Sequence, residues 1–149
     1  MKTLVVYDSA YGNTAELAEA IGAAIGSDAK VLKAAGIKPS DIEGIDVLIA
    51  GSPTYGGRPT QPMQLFLKNL SDDALANVTV AGFDTRFKAT WVKIFGFAAG
   101  KIEKSLVKLG GTSSVKPEGF FVAGTKGPLL QGEAQRAGEW AKAIISGIS

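Results

Sequence analysis

Ser9, Asn13 and Thr14 fall close together in the run Ser9-Ala10-Tyr11-Gly12-Asn13-Thr14, and what flanks them decides what their hydroxyl and amide groups can do. Leu4, Val5 and Val6 before them read as a buried strand. Leu17, Ala18, Ile21, Ala24 and Ile25 after them recur at helical spacing. A strand-loop-helix turn aims backbone N–H groups and the positive end of a helix dipole at one point, which suits a phosphate. The same residues allow a plainer reading, because Asn13 followed three residues later by Glu16 is a helix capping box. With one glycine, the loop is neither the G-x-G-x-x-G dinucleotide fingerprint nor the G-x-x-x-x-G-K-[ST] nucleotide loop.

Side chains alone offer little catalysis, since the 149 residues include no His and no Cys. That removes thiol nucleophiles, histidine bases, disulfides and the usual zinc ligands, so chemistry must come mainly from a cofactor. The formal net charge of +2, from 16 Lys and Arg against 14 Asp and Glu, is too small and dispersed for a nucleic-acid footprint. No apolar run suits membrane insertion, and Met1-Lys2-Thr3 leads directly into the first strand, which predicts a cytoplasmic protein. The length predicts a single domain over residues 1–149.

The elements that position the polar loops follow in order. A short strand over 29–34 carries lysines compatible with a sheet edge. The strand over 46–51 is continuously apolar, as in a strand buried on both faces. It runs into Ser52-Pro53-Thr54-Tyr55-Gly56-Gly57-Arg58-Pro59-Thr60, and then into a helix with Met63, Phe66, Leu67 and Leu70 on one face. A fourth strand over 78–83 leads to an irregular stretch over 84–95. The next helix turns Ala98, Ile102, Leu106 and Leu109 inward and Lys101, Glu103, Lys104 and Lys108 toward water. A last strand over 119–123 precedes a helix that buries Ala134, Ala137, Ala141, Ile144 and Ile145. This alternation predicts an α/β fold with a doubly wound five-stranded parallel sheet of order 2-1-3-4-5, a three-layer sandwich. Its ligands would bind at the loops after strands one, three and four. Phospho-receiver domains share that order but need a phosphate-accepting Asp at the end of strand three. Here that strand ends Ala50-Gly51-Ser52-Pro53-Thr54.

On these residues the chain resembles the flavodoxin family. The run 9–14 is similar to that family's phosphate loop, which holds the monophosphate of FMN with hydroxyls and backbone amides. Ala10 and Tyr11 stand where the family often has Ser or Thr, which leaves fewer hydroxyls. The heptad Gly51-Ser52-Pro53-Thr54-Tyr55-Gly56-Gly57 is similar to the flavin-ring loop. The resemblance implies contacts from Pro53, Thr54, Tyr55, Gly56 and Gly57, with Tyr55 on one ring face and the Gly56 carbonyl turned to flavin N5. The third run, Phe83-Asp84-Thr85-Arg86-Phe87-Lys88-Ala89-Thr90-Trp91, lacks the family's acidic, glycine-rich pattern. It offers Asp84, Thr85, Arg86, Phe87 and Trp91, the last either stacking on the flavin or packing under the loop as core. The final strand shows no long insertion, as in a short-chain member.

The resemblance implies FMN bound non-covalently and one-electron transfer to redox partner proteins. The alternative on the same fold is an FMN-dependent NAD(P)H:quinone or flavin reductase. Arg58, Arg86, Lys88 and Lys93 replace a usually acidic surround. This predicts a second reduction potential less negative than is usual for the family, and partners with acidic docking surfaces.

Overall fold

Apolar side chains on both faces of the central strands explain why helices cover the sheet on both sides. The computed structural model describes residues 1–87 and 97–147. In it, β1 (Thr3–Tyr7) sends Val5 to one face and Leu4 and Val6 to the other. β3 (Val47–Pro53) repeats this with Val47 and Ile49 against Leu48 and Ala50. Two cores result. On the first face, α1 (Asn13–Ile25) and α5 (Glu133–Ser146) contribute Leu17, Ala18, Ile21, Ala137, Ala141 and Ile144, packed with Phe83 and Phe120. On the second, α3 (Gln61–Asn69) and α4 (Ala98–Lys108) contribute Met63, Phe66, Leu67, Ile102 and Leu106.

The strand order is β2-β1-β3-β4-β5, with β6 also paired to β4, and every pair is parallel. β2 (Ala29–Lys33) is the edge that its lysines implied, with Lys30 and Lys33 exposed. A 3-10 turn (Ala34–Gly36) and a short helix, α2 (Pro39–Ile42), connect it to β3. The predicted order therefore holds, with one strand more than predicted. Two segments follow one another along β4 (Thr79–Phe87): β5 (Thr112–Ser113) beside Thr79 and Val80, and β6 (Glu118–Val122) beside residues 83–87. Between them lies Pro117, which has no N–H to give to a ladder.

β4 also runs further than its sequence suggests. Residues 84–87, predicted to be irregular, are strand. The reason is pairing on both sides: Asp84 and Thr85 lie opposite Ser52 and Pro53, and residues 83–87 lie opposite β6. With β3 and β6 both reaching that height, the polar backbone of 84–87 finds partners without leaving the sheet. Lys88, Trp91 and Lys93 lie outside the described residues. Phe83, Phe120 and Trp140 meet edge to face at centroid distances of 6.4, 6.0 and 5.9 Å, which ties β4, β6 and α5 together. Among the described residues no helix is long and apolar enough to cross a membrane.

Candidate functional site

The first loop starts where the Asp8 amide donates to the Gly51 carbonyl at 3.1 Å, which holds the ends of β1 and β3 level. The Gly12 N–H donates to Ser9 Oγ at 3.0 Å and folds the loop back on itself. Gly12, at φ 91°, is the N-cap of α1, and no side chain caps that helix. The capping box suggested by Asn13 and Glu16 does not form. Gly12 takes the cap position, so Asn13 already lies inside the first turn and its side chain cannot bridge back. Among the described residues the amides of Asn13, Thr14 and Ala15 have no acceptor, which leaves an open donor set at the positive end of α1. Thr14 is buried, and its Oγ1 lies 3.1 Å from Thr85 Oγ1. One of these hydroxyls donates to the other, and the second keeps a proton for a further acceptor.

The second loop is a two-residue hairpin. Tyr55 and Arg58 exchange backbone hydrogen bonds of 2.9 and 3.0 Å across Gly56 and Gly57, whose φ values are 56° and 78°. Two consecutive positive φ angles suit glycine and explain the Gly-Gly pair. Thr54 ties the loop down: its N–H donates to the Thr85 carbonyl at 3.0 Å, and its Oγ1 accepts from the Ala98 N–H at 3.0 Å. Tyr55 is left 45% exposed. Its phenol is raised above the usual 10.0 by desolvation first, then by Tyr11 and Asp8, so the ring stays uncharged near neutrality.

The third segment differs most from its reading as a cationic loop. Asp84 is fully buried and accepts from Arg86 Nε and Nη2, both at 2.7 Å, and from the Ala99 N–H at 2.9 Å. The Arg86 guanidinium lies 3.4 Å from the Phe97 ring centroid. On its other side is Gly119, where a Cβ would stand 2.1 Å from Arg86 Nε. Arg86 is thus not a free cation but half of a bidentate ion pair, and Asp84 anchors the start of α4. The signal was present in the sequence, because opposite charges two residues apart on a strand share one face. Reading the segment as irregular hid it.

These pieces enclose a cleft of about 310 Å³ at the carboxyl ends of β1, β3 and β4, within the size range of small-molecule sites. Ser9, Ala10, Asn13 and Thr14 line it from the first loop, Pro53, Thr54 and Gly56 from the second, and Thr85 and Arg86 from β4. Tyr11, Tyr55 and Phe87 add aromatic surface. Those three account for half of the exposed large apolar side chains among the described residues, so exposed apolar surface is concentrated at this cleft. Gly12, Gly57 and Asp84 shape the surrounding loops without lining it, and Trp91 lies outside the described residues. Val122 and Thr125, beyond the predicted set, also line the cleft, and Lys126 Nζ lies 6.0 Å from the Tyr11 ring. No local pattern marks them, because only the packing of the last loop against the first brings them there. Among the described residues no group of His, Cys, Asp or Glu could hold a metal ion.

Fold and cleft together define a doubly wound α/β protein whose site joins a set of open helix-start amides to an aromatic wall. The model of the flavodoxin family matches residues 5–145, and the chain belongs to that family. Its cofactor is accordingly FMN, the cofactor that flavodoxins bind. Among solved structures it is similar to a flavodoxin from the domain Archaea, with a TM-score of 0.81 and 22% identity over 100% of both chains. Oxidised flavodoxin 2 from Bacillus cereus gives 0.79 and 23%, covering 98% of this chain and 99% of the other. A short-chain flavodoxin associated with a bacterial microcompartment gives 0.77 and 20% over 100% of both. No curated protein matches the sequence.

Proposed function

We propose that the protein carries single electrons between partner proteins through FMN held in this cleft, with the phosphate at residues 9–14 and the ring system at residues 53–57. The observation that supports this most is the uncapped N-terminus of α1, whose open amides face a gap in hydrogen bonding that a phosphate would fill. The remaining residues fit the same group. The Thr14 and Thr85 pair has one proton to give, and the Ser9 hydroxyl, which accepts from Gly12, can donate its own. Tyr55 presents a flat uncharged face, and Phe87 is the described candidate for a second. Gly56 and Gly57 give the ring-side peptide the freedom to reorient its carbonyl.

When bound, FMN supplies the electron-accepting and electron-donating chemistry. The chain's own residues bind it, orient it and exclude water with aromatic rings. The described lining offers hydroxyls, an amide and aromatic rings, groups suited to binding and orienting the flavin. Arg86 is paired with Asp84, so the expectation of a less negative second potential rests on Arg58 and on cations outside the described residues.

Fluorescence titration of cofactor-free protein with FMN and with riboflavin tests the placement. FMN should bind much more tightly, and equal affinities would refute a phosphate site at 9–14. Anaerobic reductive titration of the loaded protein, followed by visible absorbance, tests the carrier role. Steady NAD(P)H oxidation with an added quinone would show turnover instead.

A further inference from the structure

A groove of about 670 Å³ runs between α3 and α4, and its charged lining is one-sided: Arg58, Lys68, Lys101 and Lys108 against Asp72 alone. The groove holds an excess of three positive charges, whereas the entire chain has a net charge of only +2. Outside it, the chain carries no net positive charge. The net positive charge is thus matched by the excess in this groove, while the cations elsewhere are balanced by carboxylates.

Helix stability does not account for this arrangement. Lys68 and Lys108 lie in the last turns of their helices, where a cation complements the dipole. Lys101 lies in the first turn of α4, the unfavourable end. Lys101, Lys104 and Lys108 also follow one another at three- and four-residue spacing, where like charges destabilise a helix. Glu103, the one carboxylate on α4, accepts a hydrogen bond from Ser113 on β5. Arg58 connects the groove to the cleft: it is the residue doubly hydrogen-bonded to Tyr55 across the Gly56-Gly57 turn. The basic groove therefore starts at the loop proposed to hold the flavin ring.

We infer that this groove is a docking site for an acidic segment, a run of Asp and Glu side chains on the surface of a partner protein. Exposed cations beside a redox centre speed encounter and orient the partner, and their effect falls as salt screens them. A segment lying in the groove ends beside Tyr55, where electrons would leave the flavin. The identity of the partner as a redox protein rests on the carrier reading, whereas binding of an acidic segment to the groove does not.

The test is a titration of isotope-labelled protein with a synthetic heptaglutamate peptide at low salt, followed by amide chemical shifts. The largest shifts should fall at residues 58–70 and 101–109. The double variant Lys68→Glu, Lys108→Glu should weaken binding by roughly tenfold or more, as should raising the salt severalfold. Both lysines are exposed and lie outside the cleft, so FMN affinity of the variant is the control for folding and should be unchanged. Shifts spread over the whole surface, shifts centred on residues 9–14, or affinity indifferent to the reversal would each overturn the proposal. Peptide binding by a protein that takes up no FMN would leave the groove in place and sink the carrier reading alone.

Discussion

Replacing Asp84 by Asn keeps the shape of the side chain and removes the charge on which three donors converge, the Nε and Nη2 of Arg86 and the amide of Ala99. Removing one partner of a buried ion pair costs about 3–5 kcal/mol, because the surviving ion is left in a medium that solvates it poorly. Asp84 is fully buried, but the Arg86 side chain keeps 17% of its exposure, so water offsets part of the loss. That favours the lower end, about 3 kcal/mol. In a chain of this length about 1 kcal/mol moves Tm by about 2–4 °C, so the midpoint should fall by about 6–12 °C. Urea denaturation of cofactor-free protein measures the effect without interference from FMN binding. Arg86→Gln should also destabilise, and the double variant should be less damaged than the sum of the two, with a coupling of about 1–3 kcal/mol. Losses below about 1 kcal/mol that simply add would refute the buried pair. The same pair sets an expectation for redox behaviour. Because Asp84 already balances Arg86, neutralising both together should barely move the second reduction potential.

Gly119→Ala places a Cβ against the Arg86 guanidinium and should cost about 1–3 kcal/mol by overpacking, with a smaller loss in an Arg86→Ala background. An equal loss in both backgrounds would mean that the strain lies elsewhere. Thr14→Val removes one of the two buried hydroxyls and should weaken FMN binding by about 1–3 kcal/mol while changing riboflavin binding far less. A parallel loss for both ligands would assign Thr14 to folding alone. Asp41 is held below the usual 3.8, first by the Lys38 backbone N–H and second by the Lys30 ammonium. A depressed carboxyl contributes stability that is present above its unfolded value and is lost as pH falls through its folded value. The stability gap between wild type and Asp41→Asn should therefore be full near neutrality and shrink on acidification below 3.8, as read by urea midpoints across that range. A gap independent of pH would point to hydrogen-bond shape instead of charge.

Much of this protein could be read from local pattern. Strand and helix periodicities are properties of neighbouring residues, so Val5 against Leu4 and Val6, or Leu17, Ala18 and Ile21, reveal which faces are buried before any fold is known. Lysines on β2 mark an edge, and an edge second strand leads to the observed order. The two glycines after Tyr55 announce a turn with positive φ, and the flavodoxin family was legible in the first two loops. What the sequence left undecided depends on partners distant along the chain. Whether 84–87 is loop or strand is settled by how far β3 and β6 extend beside it. Arg86 looks like a free cation until strand geometry sets it beside Asp84, and it becomes a packed one only when Gly119 and Phe97 close around it. The choice between a capping box and an open helix end at Asn13 turned on the conformation of Gly12, and Thr125 reaches the cleft only because the last loop folds onto the first. Periodicity records which side of an element is apolar, but hydrogen bonds and ion pairs between elements exist only once the sheet has set their heights and distances.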